Sequence, residues 1–74
     1  MKNMSNTKKS LPIKNNIKRF RSLKKISQDR LSKLSDLSLN TIVNVESGTN
    51  PNPTIETLSK IANALSVNVD DLIK

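Results

Sequence analysis

Residues 27–48, which read SQDRLSKLSDLSLNTIVNVESG, decide the fold of this chain. The pattern predicts two short helices separated by a tight turn. Ser27 and Ser38 each stand where a helix begins, and a serine hydroxyl there can accept a hydrogen bond from an unpaired amide of the first turn. Asp36 lies between the two helices and tolerates the left-handed conformation that a sharp turn needs. Gly48, the only glycine, stands where a helix C-terminus favours a residue without a Cβ atom.

The second predicted helix, about residues 38–46, has two different sides. At about 100° per residue, the side expected to face a core carries Thr41, Ile42, Val45 and Glu46. The opposite side has no charge and carries Leu39, Asn40, Val43 and Asn44. An asparagine can bond the edge of adenine at two points, and an apolar side chain can touch a thymine methyl group. These four residues are therefore predicted to contact DNA bases; an amphipathic helix with an Asn-rich solvent face is the plainer alternative.

The length and composition indicate one small domain without a catalytic or metal site. The chain has 74 residues and contains neither cysteine nor histidine. Disulfides and thiolate metal sites are excluded, and so are the usual general base and the commonest metal ligand. We therefore expect no enzymatic activity, no metal and no cofactor. No apolar run reaches the ~18–20 residues that span a membrane, and no secretory signal is visible, so a cytoplasmic protein, nucleoid-associated when bound to DNA, is expected.

The positive charge is concentrated in the first half of the chain. Of a net charge of +7, residues 1–33 contain eleven Lys and Arg side chains against a single acid, whereas residues 34–74 contain two against five acids. A basic half on a small domain favours a polyanionic partner. Residues 1–10 have almost no apolar mass and are predicted to form a flexible basic arm. The arm's lysines could follow phosphates or a minor groove, or could simply keep the chain soluble.

Several spaced features together resemble the helix-turn-helix of the Cro and phage-repressor (XRE-type) family. They are Ser-Gln-x-x-Leu-Ser at 27–32, Leu-Ser-x-x-Thr-Ile-x-x-Val-Glu-x-Gly at 37–48, the run that begins Pro-Thr-Ile-Glu-Thr-Leu at 53–58, and Asp-Asp-Leu at 70–72. The resemblance covers about residues 15–73. It implies an all-α fold, a compact five-helix bundle with a lambda-repressor-like DNA-binding domain, here over residues 11–74.

The resemblance also assigns roles to individual residues. Arg21 is expected to form a structural ion pair with Glu46, which would tie the first helix to the end of the third; an exposed arginine near DNA is the alternative. Gln28, in the first turn of the second helix, is expected to contact a DNA phosphate beside amides that attract anions, and to brace the recognition helix. The family usually has glycine where Lys25 stands, at the end of the first helix.

The remaining helices follow from apolar spacing and capping residues. The first helix is predicted after Leu11-Pro12, with Ile13, Ile17 and Phe20 repeating at helical spacing, and Leu31 and Leu34 are predicted to lie on one face of the second helix. Thr54 is predicted to cap a fourth helix with one apolar face, formed by Ile55, Leu58, Ile61, Ala62 and Leu65. Asn68 and Asp71 form a capping-box pair for a short fifth helix. Its surroundings carry more apolar surface than so short a helix buries alone, namely Val67, Val69, Leu72 and Ile73.

The pattern as a whole favours a sequence-specific, double-stranded DNA-binding transcriptional regulator, a repressor, that inserts its third helix into the major groove. The expected phosphate contacts are Gln28, Lys33, Ser38, Thr49 and Asn50. The apolar C-terminal segment predicts a homodimer, and hence a palindromic operator. The alternative is an antitoxin or anti-repressor that uses the same fold to bind another polypeptide. RNA binding lacks stacking aromatics, since Phe20 is the only aromatic residue.

Overall fold

A computed structural model describes residues 12–74, which form five helices and no strand. The helices are α1 (Ile13–Lys24), α2 (Gln28–Ser35), α3 (Leu39–Ser47), α4 (Ile55–Leu65) and α5 (Val69–Ile73). The prediction of an all-α, five-helix bundle with a helix-turn-helix is confirmed. The predicted N-terminal arm, residues 1–10, lies outside the described residues.

Hydroxyl groups cap three of the helices. The side-chain oxygens of Ser27, Ser38 and Thr54 accept hydrogen bonds from first-turn amides of α2, α3 and α4 at 3.0–3.1 Å. Each contact satisfies one amide that the helix itself leaves without a partner. The fifth helix begins with the backbone amide of Asn68 donating to Asp71 Oδ2 at 3.0 Å.

Four helices end in the left-handed conformation that allows the chain to turn sharply. Gly48 ends α3 with φ of 85°, as glycine allows. Lys25, Asp36 and Ser66 end α1, α2 and α4 with φ of 58°, 59° and 60°. These three residues have a Cβ atom, so the left-handed backbone conformation costs them free energy. Lys25, at the position where the resemblance leads one to expect glycine, adopts this left-handed conformation.

One apolar core lies between the five helices. It consists of Ile13, Ile17, Leu31, Ile42, Val45, Leu58, Ile61, Ala62, Leu65 and Leu72. Two large apolar side chains of these helices lie outside the core. Leu34 is 47% exposed, whereas the buried residues of α2 are Leu31, Ser32 and Ser35. Ile55 is 68% exposed, because it lies in the first turn of α4, before the helix enters the core.

The C-terminal segment packs on its own domain more than its composition predicted. Leu72 is fully buried, and Val67, Val69 and Ile73 are half-buried against the same core. In addition, the side-chain amide of Asn16 in α1 donates to the carbonyl of Leu72 at 2.9 Å. The C-terminal segment therefore exposes less apolar surface than its composition led us to expect, and Leu72 contributes none of that exposed surface.

Candidate nucleic-acid interface

The outer face of α3 presents the four side chains that the sequence assigned to base reading. Leu39 is 43% exposed and Val43 is 37% exposed. Asn40 is exposed and Asn44 is half-buried, and neither amide group has a side-chain hydrogen bond within residues 12–74. The opposite face buries Ile42, Val45 and Glu46. The outer face therefore offers free amides and small apolar groups, and the only charged residue of α3, Glu46, lies on the buried face.

A buried ion pair fixes α3 against α1. Arg21 donates through Nε to Glu46 Oε2 at 2.7 Å and through Nη2 to Glu46 Oε1 at 3.0 Å. Its Nη1 donates to the carbonyl of Ile26 at 2.9 Å, so the same guanidinium also holds the corner between α1 and α2. The Glu46 side chain is 2% exposed and that of Arg21 is 20% exposed. The hydrogen bond to Glu46, together with that group's charge, raises the pKa of Arg21 despite its desolvation.

Gln28 is the third member of this buried cluster. Its amide nitrogen donates to Glu46 Oε1 at 3.1 Å, so it braces the C-terminal part of α3 from the start of α2. A glutamine amide has two N–H groups, and only one is used in this contact. The expected phosphate role therefore remains chemically open to Gln28, whereas its contact with Glu46 was not predicted.

The other predicted phosphate contacts are exposed around the two ends of α3. Ser38 Oγ lies 2.8 Å from the hydroxyl of Thr41 and caps the helix start. Past the helix end, the Thr49 hydroxyl lies 2.8 Å from that of Ser47. The backbone amide of Asn50 donates to the backbone carbonyl of Asn44 at 3.0 Å, and this hydrogen bond folds the loop back onto the helix.

Lys33 differs from these hydroxyl and amide groups, because it has a local acid partner. Its ammonium lies 2.7 Å from the carboxylate of Asp29, one turn earlier on α2, and both side chains are more than half exposed. Such an exposed pair contributes only about 0.3–0.5 kcal/mol, so a DNA phosphate can compete for the ammonium.

Lys14 is a neighbour of α3 that the sequence reasoning missed. A Cβ atom built on Gly48 would lie 3.1 Å from Lys14 Cδ and 3.2 Å from Lys14 Nζ. The ammonium therefore lies at the C-terminal end of α3, where the helix dipole attracts a cation and the last turn has no basic residue. The absence of a basic residue from the last turn of α3 was the sequence signal that could have suggested a cation from elsewhere in the chain at this helix end.

The first turn of α1 and the loop after α3 enclose a cleft beside Lys14. Its volume is about 240 Å³, and its walls include Pro12, Asn15, Asn50 and Pro51. Within residues 12–74, no group of acidic residues is placed to hold a metal ion. No helix in this same range is long and apolar enough to cross a membrane.

The helix-turn-helix formed by α2 and α3 is the fold of a class of DNA-binding transcriptional regulators. A family model described as "Helix-turn-helix" matches residues 17–72, and the chain belongs to this XRE-type helix-turn-helix family. Members of the family are regulatory DNA-binding proteins rather than enzymes. None of the curated proteins matches the chain significantly.

Solved structures support this assignment. The restriction-modification controller protein C.AhdI from Aeromonas hydrophila is 27% identical, with a TM-score of 0.79 over 85% of this chain and 94% of that chain. A point mutant of the controller protein C.Esp1396I is 30% identical, with a TM-score of 0.72 over 77% of this chain and 73% of that chain. The clp gene regulator ClgR from C. glutamicum is 22% identical, with a TM-score of 0.75 over 85% of this chain and 80% of that chain. It shares the fold of this chain.

Proposed function

We propose that the protein is a sequence-specific repressor that inserts α3 into the major groove of its operator. The observation that supports this most strongly is the outer face of α3, where two amides without side-chain partners lie among small apolar groups. In the proposed complex, Asn40 and Asn44 bond adenine edges directly or through water, and Leu39 packs on a thymine methyl group. Val43 lies at the groove wall. The operator is therefore expected to contain A·T steps.

The proposed phosphate contacts surround this face. Gln28 uses its second N–H group, and Lys33 exchanges its exposed partner Asp29 for a phosphate. The remaining contacts are the polar groups at the two ends of α3, namely Ser38, Thr49 and Asn50. Such contacts set affinity and register, whereas the base contacts set sequence preference. Repression then follows from occupation of promoter DNA.

We also propose a homodimer that binds a palindromic operator through two recognition helices about 34 Å apart. The proposed interface is the C-terminal segment, where Val67, Val69 and Ile73 keep part of their apolar surface in solvent. Sedimentation of the protein, free and on a palindromic duplex, tests this arrangement. A monomer under both conditions, even at high protein concentration, would contradict the dimer.

Base reading is tested with two asparagine variants and one lysine variant. Asn40→Ala and Asn44→Ala should each cost about 1–3 kcal/mol on a selected duplex while leaving random-sequence binding almost intact. Lys33→Ala should instead weaken both duplexes alike and lower the slope of log K against log salt by about one. If the asparagine variants weakened both duplexes equally, these residues would position the protein and would not read bases.

Promoters of restriction and modification genes are the first operators to test. Two of the similar solved structures are restriction-modification controller proteins, at 27% and 30% identity. A labelled promoter fragment bound in preference to a coding fragment of equal length would support this regulatory role. Equal binding of the two fragments would count against it.

A further inference from the structure

The cations of residues 12–74 divide into two groups by their partners. Arg21, Lys33, Lys60 and Lys74 each lie within 4 Å of an acid. The other cations have no such partner in the described part of the chain and are Lys14, Lys18, Arg19, Lys24, Lys25 and Arg30. Residues 1–11 contain no acid that could pair with them. All six belong to α1, its C-terminal cap or the first turn of α2, so unneutralised charge is concentrated on one part of the molecule.

One edge of α1 combines this free charge with proximity to α3. At about 100° per residue, Lys14, Lys18 and Arg21 fall within roughly 60° of one another on the helix. Two contacts show which way the edge points. Arg21 holds Glu46 at 2.7 Å, and Lys14 lies against Gly48. The edge therefore lies beside the C-terminal end of α3, and on α1 Lys18 lies between the two contacting residues.

The same edge borders the base-reading face. On α3, Glu46 lies about 60° from Val43 by the same helical spacing, so the side of α3 that α1 holds is next to the side assigned to the groove wall. A major groove is about 12 Å wide. A helix lying in it has a phosphate strand along each side, and the strand on the Val43 side would meet the edge of α1.

The loop that follows α3 supplies no competing charge. Residues 47–55 contain neither Lys nor Arg. The polar groups of that loop can donate hydrogen bonds, but they release no counterions from DNA. Among the residues that the structure describes, phosphate neutralisation near the recognition helix therefore depends on α1 and α2.

We propose that Lys14 and Lys18 form a phosphate-binding edge for the DNA strand on the Val43 side of α3. This inference rests on the proposed insertion of α3 into the major groove. It assigns a salt-dependent part of binding, additional to that of Lys33, to the edge of α1, outside the helix-turn-helix itself. Because each neutralised phosphate releases about 0.9 counterion, the edge has a measurable signature that base-reading residues lack.

The test compares Lys18→Gln and the double variant Lys14→Gln/Lys18→Gln with Arg19→Gln. Arg19→Gln is the matched control, because it removes one positive charge from the same helix. The Arg19 side chain lies about 100° from Lys18 around the helix, and its guanidinium carbon lies 4.8 Å from the centre of the Phe20 ring. Binding to a selected duplex and to a random duplex is measured across salt concentrations. We expect the slope to fall by about one for Lys18→Gln and about two for the double variant, on both duplexes.

The outcomes separate this proposal from the proposed function. Slopes unchanged by the lysine variants, or lowered equally by Arg19→Gln, would overturn the phosphate edge while leaving base reading intact. Failure of the unaltered protein to bind any duplex would overturn DNA binding itself. Ethylation of phosphates on the selected duplex gives the position: the unaltered protein should be blocked by ethylation on the Val43 side, and the double variant should lose that interference. An unchanged interference pattern would contradict the assignment.

Discussion

The Arg21–Glu46 pair should respond very differently to removal of its two members. Glu46 is 2% exposed and accepts three hydrogen bonds, two of them from Arg21 and one from Gln28. Removing Arg21 leaves a buried carboxylate with a single neutral partner. Removing Glu46 leaves a guanidinium that is already 20% exposed and can turn toward water. The arginine variant should therefore be the more damaging.

The structure sets the expected magnitudes. An uncompensated buried charge costs about 3–5 kcal/mol, so Arg21→Ala should approach that range. It also removes the hydrogen bond to the carbonyl of Ile26. Glu46→Ala should cost about 1–3 kcal/mol, because solvent screens the arginine that remains. Lys33→Ala, which breaks the exposed pair with Asp29, is the control and should cost about 0.3–0.5 kcal/mol.

Urea unfolding followed by far-ultraviolet circular dichroism is the suitable assay, because the chain has no Trp or Tyr for fluorescence. If Arg21→Ala does not fold, Arg21→Lys provides a second measurement, since it keeps the charge but loses the two-pronged geometry. Equal losses for Arg21→Ala and Glu46→Ala, or losses no larger than that of Lys33→Ala, would refute the asymmetry. A double variant, Arg21→Met with Glu46→Leu, should recover much of the loss.

The charge of Arg21 makes no pH-dependent contribution to folding stability near neutral pH. Its pKa is raised in the folded state by the hydrogen bond and charge of Glu46. A raised pKa adds stability that is fully present below the unfolded pKa and disappears only as pH rises through the folded pKa. For an arginine both values lie far above neutrality, so the difference between Arg21→Ala and the unaltered protein should not fall as pH rises through the neutral range.

Three further substitutions test local features of the fold by thermal unfolding. Lys25→Gly should stabilise the protein by about 0.5–1 kcal/mol, because glycine adopts φ of 58° without steric cost but loses more entropy on folding; a lower Tm would contradict this. Asn16→Ala should cost about 1 kcal/mol by removing the bond to the carbonyl of Leu72, and an unchanged Tm would show that the contact contributes nothing. Gly48→Ala should cost about 1–2 kcal/mol through its φ of 85°, and a neutral result would show that the loop adapts.

Local signals in the sequence were sufficient for the starts of three helices and for the turn after α2. Ser27, Ser38 and Thr54 cap helices through contacts that involve only the next three residues. The same holds for the left-handed turn at Asp36, whose geometry is set within a few residues. Such short-range chemistry can be derived from residue type and spacing alone.

The packing of α2 could not be predicted in the same way. Periodicity placed Leu31 and Leu34 on one face, but the structure buries Ser32 and Ser35 beside Leu31. The Ser35 hydroxyl donates to the carbonyl of Leu31 at 2.7 Å, which satisfies its polar group inside the helix. A small residue with an internal hydrogen bond lets a neighbouring helix approach closely. Hydrophobicity alone assigns such a position to the surface.

The buried cluster around Glu46 was predictable only in part. The family resemblance paired Arg21 with Glu46 across 25 positions of sequence, and the structure joins the two side chains at 2.7 Å. It could not reveal that Gln28 shares the carboxylate, nor that Lys14 lies against Gly48. Both contacts depend on how three helices converge in space, which no single helical pattern describes.

The central claim, that α3 reads DNA bases through its outer face, is tested most directly by selecting bound duplexes from a random DNA pool. The unaltered protein and Asn40→Ala are carried through the selection in parallel. We expect the unaltered protein to recover a motif with two-fold symmetry and A·T positions, and Asn40→Ala to lose preference at one position in each half-site. Recovery of no motif, or of the same motif by both proteins, would contradict the claim.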